Sequence, residues 1–179
     1  FEAAMFARPE QREDLFALIA LNVELSRIPE TVSEPMLGEI RLQWWNDAIE
    51  ALFDGGPTAG HEVIVALEAP VKSGRLPKDR LLDLVEARRF LLSDTSLKDD
   101  DALDQFIAQT GGAMAALQVG ALGGDLAAQD IAAQAGWAEG AGRLIAALPT
   151  LFARGDVVLP AAEHLNWDAI SSGTTPPEL

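Results

Sequence analysis

Apolar residues recur three and four positions apart along nearly the whole of this 179-residue chain, and no run alternates at two with the β-branched and aromatic residues that strands prefer. A helix patterned this way buries one stripe, so such a chain has to stack helices on one another. The expected fold class is all-α: a single domain over 1–179 built from about six to eight helices. Proline and glycine set the boundaries. A first helix follows Pro9 and buries Leu15, Leu18, Ile19, Val23 and Leu25, with Pro29 ending or kinking it. A second is capped by Ser33, carries Glu34 at its positive end and Pro35 in its first turn, and stops at Gly55-Gly56-Pro57. Its expected stripe is Leu37, Ile40, Trp44, Ala48 and Leu52, widened by Arg41, Trp45 and Ile49. Further helices are expected over 61–73, 77–92, 101–122 and 127–148, with Pro70 kinking the first of these. Residues 154–160 read as a loop and 171–177 as a linker.

Composition narrows function by exclusion. The net charge of −15, from 28 acids against 13 bases, argues against a nucleic-acid partner, because a phosphate backbone needs a concentrated basic face. No cysteine is present, which removes disulfides, thiolate zinc sites and a cysteine nucleophile. His61 and His164 are too few for a histidine-rich metal site, and neither has a serine and an acid nearby to suggest a triad. The uncharged run from Gln105 to Gly124 approaches membrane-spanning length, yet it holds Gln105, Gln109, Gln118, Thr110 and five glycines, and reads as a buried helix. Its small residues Gly111, Gly112, Ala115 and Gly120 leave room for close approach of a neighbouring helix or a ligand. No transmembrane segment is expected, and the location is expected to be cytoplasmic, at most peripheral to the inner face of a membrane.

Three blocks carry a likeness to a known family: Leu15 to Pro29, Ser33 to Leu52 with Gln43-Trp44-Trp45, and Gly142 to Pro160 ending Val157-Val158-Leu159-Pro160. Val85-Glu86-Ala87-Arg88-Arg89-Phe90 is similar in position and character. The chain resembles the squalene/phytoene synthase family, whose members join prenyl diphosphates head to head inside a helical bundle. The likeness implies an isoprenoid synthase-type fold, with C-terminal helices of the family missing here. In that family two aspartate motifs on facing helices hold magnesium against a diphosphate, since carboxylates at i and i+4 share one helical face. Aligned with the first motif stand Ser26, Arg27 and Glu30, of which only Glu30 is a carboxylate; aligned with the second stand Ala147 and Leu151. The pattern resembles a degenerate branch of the family that includes a mitochondrial complex I assembly factor. It shares Ser33-Glu34-Pro35 leading into Gln43-Trp44-Trp45, and a proline, Leu148-Pro149, in the second motif.

The likeness therefore implies a family member without magnesium-dependent prenyl transfer and without a cofactor, binding an apolar prenyl lipid or a protein partner in complex assembly. The alternative is a divergent transferase that uses Mg2+ and prenyl diphosphates. Candidate ligand-binding residues are Arg27, Glu30, Arg41, Trp44 and Trp45, with no metal ligand assigned. Arg27 and Arg41 can grip a diphosphate or pair with Glu24, Glu30 or Asp47. Trp44 and Trp45 point about 100° apart on a helix, which favours core packing over both facing one ligand. Of Arg88 and Arg89, one is expected to be ion-paired and the other exposed. Two literal aspartate runs, Asp79 to Asp83 and Asp100-Asp101-Ala102-Leu103-Asp104, sit near helix starts, where acids favour the dipole, and read as capping and surface charge rather than a displaced metal site. Gly55-Gly56 and Gly123-Gly124 lack the context of a phosphate loop.

Overall fold

The computed structural model describes residues 2–57, 60–92, 97–154 and 159–160, with the side chains of 2, 3 and 152–154 left aside. Among the described residues it is all-α. A 3-10 turn, Glu2–Phe6, leads into α1 (Pro9–Thr31), α2 (Pro35–Phe53), α3 (Glu62–Lys72), α4 (Lys78–Phe90), α5 (Asp100–Ile107), a π-helical turn (Ala108–Gly112), α6 (Ala113–Ala121) and α7 (Leu126–Arg154). Helix α1 is the central element and packs against α2, α3, α4 and α6, while α7 lies along α6 and the π turn. The core is built from Leu18, Leu21 and Leu25 of α1, Leu42 and Ile49 of α2, Ile64 and Leu67 of α3, Leu81, Leu84 and Val85 of α4, and Leu117 of α6. Each such side chain contributes about 1.5–3 kcal/mol relative to exposure.

Several boundaries differ from the sequence expectation for identifiable reasons. Pro29 does not end α1, which runs on to Thr31; so close to the end, the missing N–H disturbs only the last turn. Ser33 does not cap α2. Pro35 is the first helical residue and holds the residue before it extended, so Glu34 takes the cap position, without a side-chain bond. Gly55, at φ +72°, then turns the chain away in a conformation that suits glycine. The helix expected over 101–122 starts at Asp100, with Asp99 accepting from the Ala102 N–H at 2.9 Å, and is interrupted by the π turn. Helix α7 passes through Pro149 to Arg154. The expected loop falls mostly outside the described residues, as do the linker and His164.

The buried stripe of α2 is also rotated. Gly38, Leu42, Trp45, Ala48, Ile49 and Leu52 face inward, whereas Leu37, Ile40 and Trp44 are exposed. The rotation follows from Gly38, whose bare backbone admits the side chain of Leu92; a Cβ there would collide with it. On α1, Val23 is exposed and Ile19 only half-buried, the inward positions being Leu21 and Ile28 instead.

The small residues of the uncharged run admit a helix. Gly111 meets Gly136 and Gly140 of α7 so closely that a Cβ on either Gly111 or Gly136 would strike the other's carbonyl oxygen. Arg75, in the turn before α4, ties the bundle together. It pairs with buried Asp14 of α1 at 2.5 Å and donates to the Ala121 carbonyl at 3.4 Å, where a cation suits a helix C-terminus. Burial nevertheless raises the Asp14 carboxyl above its ordinary value, outweighing the Arg75 charge.

Candidate functional site

On α1, Glu24, Arg27, Ile28 and Thr31 fall at i, i+3, i+4 and i+7 and so share one face. On α2, Arg41, Trp44 and Trp45 repeat the spacing from the other side. These seven side chains and His61 line a cavity of about 470 Å³. Local bonding organises it. The Thr31 hydroxyl donates to the Arg27 carbonyl at 2.9 Å and accepts from Arg41 Nη1 at 3.1 Å, which bridges the ends of α1 and α2. His61 caps α3 by accepting the Val63 N–H on Nδ1 at 3.3 Å, and this holds its ring in place. Trp45 and His61 are 4.8 Å apart between ring centroids, Trp44 and His61 5.5 Å, and Trp44 and Trp45 5.1 Å at 81°.

Trp44 and Trp45 thus converge on one cavity, against the expectation from their helical spacing. Trp45 is 4% exposed and forms the floor; Trp44 is 38% exposed and forms a wall, the two rings meeting edge to face and both contacting His61. Arg27 and Arg41 face the same space. Among the described residues no carboxylate lies within 4.0 Å of either guanidinium, and Asp47 is engaged by Gln43 at 2.7 Å instead. Glu30 is the candidate that the geometry leaves out: it is exposed and does not line the cavity. Glu24, Ile28, Thr31 and His61 join it without having been singled out as ligand contacts. The spacing from Glu24 to Thr31 was the available signal.

The opposite face of α1 carries Asn22, Ser26 and Glu30, at steps of four. Ser26 is turned onto its own helix, donating to the Val23 carbonyl at 2.9 Å. Asn22 accepts from Nη2 of Arg88 at 2.9 Å. Arg88 corrects the sequence expectation: it is only 8% exposed, its Nε has no hydrogen-bond partner among the described residues, and burial lowers its pKa from the usual guanidinium range. Arg89 is the ion-paired member, bound to Glu39 and, at 2.9 Å, to Glu86. Ala147 and Leu151 lie half-buried on α7.

The literal aspartate runs are separate from both faces. Asp83 accepts from Gln109 at 3.4 Å, and burial together with nearby Asp79 raises its carboxyl. Asp100, Asp101 and Asp104 edge a groove between α5 and α7. Among the described residues no three histidine, aspartate or glutamate side chains gather closely enough to hold a metal ion, and no helix is long and apolar enough to cross a membrane.

A helical bundle with the Gln43-Trp44-Trp45 block on its second long helix agrees with the comparison to known proteins: a model of the squalene/phytoene synthase family matches residues 1–168. The chain belongs to that family. It is similar to NADH dehydrogenase (ubiquinone) complex I, assembly factor 6, of Homo sapiens, with 32% identity over 153 residues, 84% of this chain and 45% of that protein. The Mus musculus protein of the same name is 32% identical over 146 residues, covering 80% of this chain and 43% of its own length. The chain thus spans less than half the length of these relatives. No solved structure matches it significantly.

Proposed function

We propose that this chain is a non-transferring member of the squalene/phytoene synthase family that acts by binding, in the manner of the assembly factors it resembles, rather than by condensing prenyl diphosphates. The observation that carries the reading is Arg88. Its buried guanidinium bonds to Asn22, a neutral asparagine on the α1 face that also carries Ser26 and Glu30, and this supports the reading because a divalent cation beside that face would need carboxylates. A second cation beside an uncompensated buried one is repelled strongly at low dielectric. The residues present do not fit magnesium, and Ala147 and Leu151, which align with the second motif, offer no ligand. The cavity between α1, α2 and α3 supports a binding role, since its aromatic floor suits an apolar ligand such as a prenyl lipid and Arg27 and Arg41 suit an anionic head. The reading takes with it a cytoplasmic location, at most peripheral to a membrane.

Incubation of the purified chain with magnesium and farnesyl or geranylgeranyl diphosphate tests it. The expected result is no diphosphate release above the protein-free blank. Turnover that disappears in Glu30→Gln would replace this reading with a divergent transferase. Co-purification of a respiratory complex I subunit with the tagged chain is the expected positive counterpart.

A further inference from the structure

Helix α7 has two apolar faces, and among the described residues only one of them is packed closely against α6 and the π turn. Gln129, Ala133, Gly136 and Gly140 meet α6 and the π turn. About a quarter-turn round the helix, Trp137, Ala141, Leu144, Ile145 and Leu148 line a groove of about 450 Å³ whose other wall is α5, with Leu103 and Ile107, and whose lining also includes Leu159 beyond the end of α7. The groove is open: Ile145 is 67% and Trp137 38% exposed. It is distinct from the cavity beside α2, and the second-motif positions Ala147 and Leu151 are not in its lining.

Its charge is one-sided. Asp100, Asp101 and Asp104 line the α5 edge, and among the described residues no lysine or arginine lines either wall. Asp99 already caps α5 through the Ala102 N–H, and Asp104 stands beyond the first turn, so helix-end electrostatics do not account for all three. An apolar floor two helices wide with carboxylates along one edge is complementary to an amphipathic helix whose apolar stripe is bordered by lysine or arginine. An anionic membrane would be repelled by the same edge, and a second copy of this chain brings another net charge of −15.

We propose that the α5–α7 groove is a docking site for a basic amphipathic helix of a protein partner. Trp137 and Ile145 are the apolar anchors, and Asp100, Asp101 and Asp104 set the orientation by drawing the basic border toward α5. The proposal supplies a partner chemistry for the binding role above and rests on that role being protein-directed; it is measured by direct binding, so its failure is separable from a positive or negative turnover result.

The test titrates the 179-residue chain with a helical peptide of about 18 residues, a leucine stripe bordered by lysines, and with a scrambled peptide of identical composition. Titration calorimetry is expected to give dissociation constants in the range of about 1–100 μM for the patterned peptide only. Ile145→Glu is expected to weaken binding about tenfold or more, and Asp100→Asn with Asp104→Asn about threefold to tenfold with a flatter salt dependence. Glu10→Gln with Asp54→Asn, acids outside the groove, should leave it unchanged. Ile145 and the aspartates are exposed, so the variants should keep the parent melting curve; should Ile145→Glu unfold, Ile145→Ser gives the same reading. Equal binding of the scrambled peptide, indifference to the Ile145 variants, or no binding at about 100 μM would each overturn the proposal, as would groove-dependent binding to phosphatidylglycerol vesicles in place of the peptide.

Discussion

The two sides of α1 have opposite fates. Toward α4 it is closed: Asn22 receives a buried guanidinium, and the bundle beyond is drawn so tight that α7 crosses the π turn glycine on glycine. Toward α2 and α3 the same helix borders a hollow of about 470 Å³ with two arginines that lack a carboxylate partner among the described residues. The closed side carries a buried polar contact, and the open side is the one with room for a ligand. One helix thus seals one side of the bundle and leaves room on the other.

The sharpest way to break this contrast is at the floor of the hollow. Trp45→Ala should lower stability by about 3–5 kcal/mol, because it empties core volume, whereas Trp44→Ala should cost about 1 kcal/mol or less. Urea unfolding of the pair measures the difference, and equal losses would mean the two rings share one environment. Next comes the closed side. Gly136→Val drives a side chain into the Gly111 backbone, for an expected loss of about 3 kcal/mol or failure to fold.

Asn22→Ala should cost about 1.5–3 kcal/mol by stranding the Arg88 guanidinium, while Arg88→Met, which removes the buried charge with its partner need, should cost less or stabilise. Melting temperatures in the reverse order would show that Arg88 has a counter-charge. The smallest effect is a pH dependence. The Asp83 carboxyl is raised by burial and by Asp79, so its favourable contribution is present below the unfolded value of 3.8 and is lost as pH rises through the raised folded value. Asp83→Asn should therefore melt higher than the parent near neutral pH, with the advantage vanishing below pH 3.8.

Much of this was readable in advance. Pro9, Pro35, Gly55 and Pro77 sit at or next to helix limits because their backbone restrictions are local and need no partner. The Gly111-Gly112 pair was readable as a close approach for the same reason. What misled was rotation. Ile40 and Trp44 look as inward as Leu42 and Trp45, since a stripe of mixed apolar residues can be centred at either of two positions about 100° apart. The burial of Arg88 is not legible in the sequence, because nothing local says that a charged side chain will be covered by α1.

The amino-acid sequence by itself determined the helical class, most of the helix limits and the family, all of which follow from periodicity, backbone stereochemistry and the Gln43-Trp44-Trp45 block. Only the tertiary structure decided which face of each helix is inside, that Trp44 and Trp45 meet on His61, and that Arg88 is buried against Asn22 of α1. The reason is physical: burial belongs to pairs of helices, and the pairing of α1 with α4 on one side and with α2 and α3 on the other joins residues that no local spacing connects.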